Sequence, residues 1–156
     1  MRIEEISREL KEAAFDYFYW FSRFEFALKE RGFLKSKEEG KTAVPDWTAF
    51  KKEYSDVYEI TDDAKLLVEL HPKRQVIGAG GGLDWRPVGL EHCNNDLCNV
   101  VTMLTTIRNN LFHGGKHGDK EIDDVARNIL LLKTAGRVLK ELAQTAEFQG
   151  DYDRYY

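Results

Sequence analysis

Three residues in one short stretch, Arg108, Asn109 and His113, have the side-chain types that metal-free phosphodiester chemistry needs. An arginine fork recognises phosphate through paired hydrogen bonds, and a histidine titrating near neutrality can take a proton from a ribose 2′-hydroxyl. Asn109 and His113 are four residues apart and share a helix face. On an ideal helix Arg108 lies about 40° from Leu104 and about 60° from Leu111, so its guanidinium emerges beside an apolar seam. His113 stands just before Gly114-Gly115. There the negative end of a helix raises an imidazole's affinity for a proton, and the glycines add no bulk beside it. The same residue types also fit a purely structural reading, in which Arg108 pairs with Glu25 or another buried carboxylate and His113 only caps the helix. Residue chemistry leaves both readings standing.

Other clusters carry less. Cys93 and Cys98 could join His92 with His113 or His117 around zinc, but two cysteines five apart within one helix point about 140° away from each other. Reduced structural thiols are the expectation, with no metal and no cofactor. The run "GAGGG" lacks the Lys-Ser/Thr of a phosphate loop and does not match the dinucleotide fingerprint.

The elements that must position Arg108 and His113 read as helices. Ile3, Ile6, Leu10, Ala13, Tyr17, Trp20, Phe24 and Ala27 recur at helical spacing through the first thirty residues, and Gly32 ends the pattern. Eight aromatics fall between positions 15 and 26. That is too many for one core-facing stripe, so the helix must be covered on more than one side. Pro45-Asp46 opens a short helix through Tyr54, and Thr61 caps another that His71-Pro72 stops. Residues 72–89, with their glycine run, read as a long loop. The helical pattern resumes at Glu91 and runs through Leu97, Val100, Leu104, Ile107 and Leu111 to the two glycines. A last helix runs from Ile122 to about Ala146. The expected fold is all-α: a bundle of two or three long helices with short accessory helices and a glycine-rich loop. It forms one domain over 1–148, followed by a frayed tail at 149–156.

Composition bounds the partners. The 156 residues hold 23 Lys+Arg against 27 Asp+Glu, a net charge of −4, which excludes broad electrostatic coating of nucleic acid but not a small basic site. The opening residues carry no export signal, and no apolar run approaches a membrane span, so a cytoplasmic protein without membrane contact is expected.

At Arg108-Asn109-Asn110-Leu111-Phe112-His113 the chain resembles the R-x4-H motif of the HEPN superfamily (higher eukaryotes and prokaryotes nucleotide-binding domain), and "RNNLFHGGK" looks like its bacterial members. The stretch "YWFSRFEFALKERGF", positions 19–33, is similar to the first helix of one bacterial branch, including Arg23 and Glu25. "PDWTAF" and "HPKRQV" extend the likeness along most of the chain. The resemblance implies a helical bundle that dimerises to bring two motifs together, and a metal-independent endoribonuclease of toxin–antitoxin, phage-defence or RNA-processing type. Carried onto this chain, Arg108 holds the scissile phosphate, Asn109 orients the pair and His113 is the general acid/base. Lys116, His117, Lys73 and Arg74 are candidates for further RNA contacts, against the alternative of ordinary solvated charges. RNA, a second copy of the chain and an antitoxin protein are the expected partners. Gly115 replaces the tyrosine of one toxin branch, which removes regulation by modification at that position. Some members of the superfamily are not nucleases, so a dimerisation module or a nucleotide- or partner-binding module is the alternative.

Overall fold

The computed structural model describes residues 6–113, with His113 through its backbone alone, and residues 124–154. Helix α1 spans Arg8–Glu30, its first turn held by the Ser7 hydroxyl accepting from the Leu10 N–H. Gly32, at φ 80°, takes the left-handed turn that ends the run. Helix α2 (Trp47–Tyr54) is capped by Asp46, and α3 (Asp62–Leu70) by Thr61. Helix α4 covers Asp96–His113, α5 covers Val125–Thr145 behind an Asp124 cap, and α6 is a short turn at Gln149–Tyr152.

Among the described residues 62% are helical and 9% are in strands, so the helix-dominated expectation holds while the strictly all-α one does not. Residues 73–87 form an antiparallel hairpin instead of a loop. Strand β1 (Lys73–Ile77) pairs with β2 (Leu83–Pro87) in a register that sets Lys73 against Pro87, Gln75 against Trp85 and Ile77 against Leu83. The glycines make the turn, with Gly80 and Gly81 both at positive φ. Val76 and Ile77 on one flank and Leu83 and Trp85 on the other supply strand-forming side chains, and Trp85 is buried while Arg74 and Arg86 stay exposed.

Helix α5 packs along α1 and α3, and α4 is wedged among α1, α2, α3 and β1. The core is unusually aromatic at one end. Phe24, Phe33, Phe50 and Phe148 come within 6.0 Å of one another ring to ring at most of their contacts, and Trp47 and Tyr54 close the group. Edge-to-face pairs such as Phe24–Phe50 add favourable quadrupole geometry to the buried area.

The tail also departs from expectation. Residues 149–152 do not fray: Phe148 and Tyr152 are buried, and α6 lies on α1. The reason is Arg23, which is only 3% exposed. A buried guanidinium must find acceptors. Arg23 donates from Nη2 to the Asp151 and Arg154 carbonyls at 2.6 and 3.1 Å, and from Nε to the Tyr152 carbonyl at 3.2 Å. These carbonyls lie at the C-terminal end of α6, where a cation is favoured. Among the described residues no helix is long and apolar enough to cross a membrane.

Phe148→Ala should therefore lower the unfolding free energy by about 3–5 kcal/mol in a denaturant titration. A loss under about 1 kcal/mol would mean that the C-terminal segment is not part of the core.

Candidate functional site

Helix α4 carries the motif at the end where its burial runs out. Leu97, Val100, Val101, Met103, Leu104 and Ile107 are buried, Arg108 and Asn110 are half-buried, and Asn109 is exposed. Successive residues turn by about 100° around the axis, so Arg108, Asn109 and Asn110 leave the helix in three directions.

Asn110 turns toward the hairpin. Its Nδ2 donates to the Lys73 carbonyl at 2.7 Å, fastening β1 to α4. Asn109 faces a groove of about 520 Å³ between the hairpin and α4, which Arg74, Gln75, His92, Thr102 and Thr106 also line. Arg108 turns toward α1. Its guanidinium lies over the Phe112 ring at 5.1 Å, and Nη1 reaches back to the Asn109 Oδ1 at 3.1 Å. Phe112 in turn meets the edge of Phe18 of α1 at 5.2 Å.

Arg108 has no carboxylate partner among the described residues. Glu25, the acid that might have neutralised it, instead accepts from the Trp47 indole N–H at 3.0 Å. Beneath the arginine, Tyr17 is fully buried and donates its hydroxyl to the Leu104 carbonyl at 2.7 Å. Burial pushes the Tyr17 phenol well above its ordinary pKa, with Glu25 adding to the rise and Arg108 opposing it. Tyr17 is thus a neutral donor that fixes the turn of α4 just before the motif, and it is unsuited to act as a base.

The sequence-predicted residues divide as follows. Asn109 and Arg74 meet in one groove, and Arg108 touches Asn109 from the neighbouring face. Lys73 presents its carbonyl to Asn110 and lines a separate small cavity with Trp85 and Ile107. The backbone of His113 closes α4, one turn beyond Asn109 and about 40° from it in helical phase. Lys116 and His117 lie outside the described residues.

His92, which the sequence offers only as a metal ligand, lines the groove, with its Nε2 3.4 Å from the Thr102 hydroxyl and 3.5 Å from the Cys93 sulfur. The cysteines need a correction as well. Helix α4 begins at Asp96, not Glu91, so Cys93 lies in the turn before it and Cys98 in its first turn. Their Cα atoms are 5.3 Å apart and the sulfurs are joined as a disulfide. On one continuous helix the two side chains would diverge by about 140°; the turn before Asp96 brings them together. The donor atoms of His92, Cys93 and Cys98 all lie within 4.8 Å of one another, but joined sulfurs offer no thiolates to a metal.

A second cavity, of about 490 Å³ between α1 and α5, sets Glu9, Glu12 and Asp16 against Lys133, Arg137 and Lys140. Lys133 already pairs with Glu9 at 2.6 Å, so this surface is compensated within the chain. Comparisons with family models, with curated proteins and with solved structures return no significant match.

Asn110→Ala removes the side-chain donor that joins α4 to the Lys73 carbonyl. It should cost about 1–2 kcal/mol of stability and speed amide exchange in residues 73–77. Unchanged exchange there would contradict the role of Asn110 as the hairpin's anchor.

Proposed function

We propose that the protein is a metal-independent endoribonuclease of the HEPN type, working as a homodimer with the end of α4 as its catalytic element. The observation that carries this reading is the state of Arg108. Its guanidinium is held by Asn109 and Phe112 and lacks a carboxylate partner among the described residues, five positions before His113 at the helix end. The enclosed Arg23 spends its donors on three backbone carbonyls, whereas the half-buried Arg108 meets one side-chain amide and an aromatic face. An arginine held by an amide and an aromatic face keeps its charge for a phosphate.

In the proposed reaction Arg108 binds the non-bridging phosphate oxygens and Asn109 fixes the fork. His113 of one copy takes the proton of the ribose 2′-hydroxyl, whose oxygen attacks phosphorus. The 5′-oxygen departs with a proton from the second copy's histidine, leaving a 2′,3′-cyclic phosphate and a 5′-hydroxyl. Arg74, across the groove from Asn109, and Lys73, Lys116 and His117 would guide the flanking phosphates. RNA as substrate sets this activity in the cytoplasm, in a toxin, phage-defence or RNA-processing role, and a toxin role brings an antitoxin as a protein partner.

The aromatic surplus of α1 supports dimerisation. Phe15 is 65% exposed, Phe18 42% and Phe112 51%; Phe112 lies under Arg108 and meets Phe18 edge to face. A two-fold contact over this patch would cover these rings and draw two motifs together.

Two predictions follow from this arrangement. Purified protein should cut RNA in EDTA, and Arg108→Ala and His113→Ala should each lower the rate by about 10²-fold or more. Cleavage persisting in both variants would contradict the assignment, and no cleavage by the wild type would favour the non-catalytic binding module. Phe18→Glu should weaken self-association by at least about tenfold in sedimentation experiments and reduce cleavage in parallel. A wild-type protein that is monomeric and active would remove the dimer from the mechanism.

A further inference from the structure

We propose that Cys93–Cys98 is an exchangeable disulfide, attacked at Cys93 and leaving from Cys98, that responds to dithiol reductants. The two sulfurs have unlike surroundings. Cys98 is 7% exposed, whereas Cys93 is half-buried in the turn before α4 and within reach of an incoming thiolate. Lys51 of α2 places its ammonium 3.7 Å from the Cys98 sulfur. Cys98 also stands in the first turn of α4, its own N–H held by the Asn95 side chain at 2.9 Å, where the positive end of the helix favours an anion. A cation and a helix start both lower the free energy of a thiolate, so Cys98 is the better leaving group.

The exchange runs in two steps. A thiolate of the reductant attacks the Cys93 sulfur, the Cys93–Cys98 bond breaks, and its electron pair goes to Cys98, which is held as thiolate beside Lys51. The reductant's second thiol then attacks its own sulfur in the mixed disulfide and releases Cys93, which takes up a proton. His92, 3.5 Å from the Cys93 sulfur, is placed to deliver it. One protein disulfide and one dithiol become one protein dithiol and one reductant disulfide. The bridge spans a separation of only five residues, so it constrains the unfolded chain less than a bridge across a long loop would. Its effect in the folded protein is local: it ties the turn carrying His92 to the first turn of α4. Reduction therefore frees a residue that lines the groove.

The chain has only these two cysteines, so labelling is unambiguous. The folded, oxidised protein is exposed without denaturant to glutathione for a short time, quenched with acid and mapped by mass spectrometry. The mixed disulfide should appear on Cys93. With dithiothreitol in place of glutathione, followed by alkylation, both cysteines should become labelled. Lys51→Met should slow that reduction by about three- to tenfold, and Lys51→Arg should restore it. A glutathione adduct mainly on Cys98, Lys51→Met reduced as fast as the wild type, or a bond that resists dithiothreitol until the protein unfolds would each overturn the proposal.

Discussion

The arrangement depends on α4 being enclosed over most of its length and uncovered at its end. From Leu97 to Ile107 its apolar residues are buried against α1, α2, α3 and the hairpin, so it cannot rotate about its axis without exposing several of them. The Tyr17 hydroxyl on the Leu104 carbonyl pins the same helix from the side of α1. With the phase of α4 set by its buried part, the directions of Arg108, Asn109 and Asn110 follow. One reaches toward α1, one into the groove, and one onto the backbone of β1. Geometry at the motif is thus paid for by packing several residues upstream.

Helix α1 has two tasks that compete for its surface. Its inner face supplies Tyr17, Phe21 and Phe24 to the core, and from a different, also buried, side Arg23 gathers the carbonyls at the end of α6. Elsewhere on its surface Phe15 and Phe18 stay exposed, and Phe18 meets the Phe112 ring on which Arg108 lies. Arg23 and Glu25, conspicuous charges in an aromatic stretch, are occupied by structure: one holds the C-terminal turn and the other the indole of Trp47. Arg108 is only half-buried and lies against the Asn109 amide and the Phe112 ring, whereas Arg23 is enclosed and spends its donors on three backbone carbonyls.

Local signals in the chain were readable where local chemistry decides the outcome. Asp46 and Thr61 cap α2 and α3 at the expected residues, and His71, in the left-handed conformation, ends α3. The hairpin was missed because strands are confirmed by pairing across a turn, and the glycine run hid two short β-forming flanks. The disulfide was missed because a start of α4 at Asp96, five residues later than the pattern implied, turns a same-helix geometry into a turn-to-helix one. The ordered tail follows from the need of a buried guanidinium for acceptors, a demand that periodicity does not reveal. Within the site, Asn109 and Arg74 were legible as candidates. Their meeting in one groove, and the part of His92 in it, depend on the hairpin.

The most direct test of the central claim is the chemistry of the ends left on cleaved RNA. Purified protein is incubated with a defined RNA in EDTA, and the fragments are examined by mass spectrometry and by their response to polynucleotide kinase. Acid/base cleavage by Arg108 and His113 predicts 2′,3′-cyclic phosphate and 5′-hydroxyl termini. Fragments with 3′-hydroxyl and 5′-phosphate ends, or cutting that appears only when a divalent metal is restored, would contradict it.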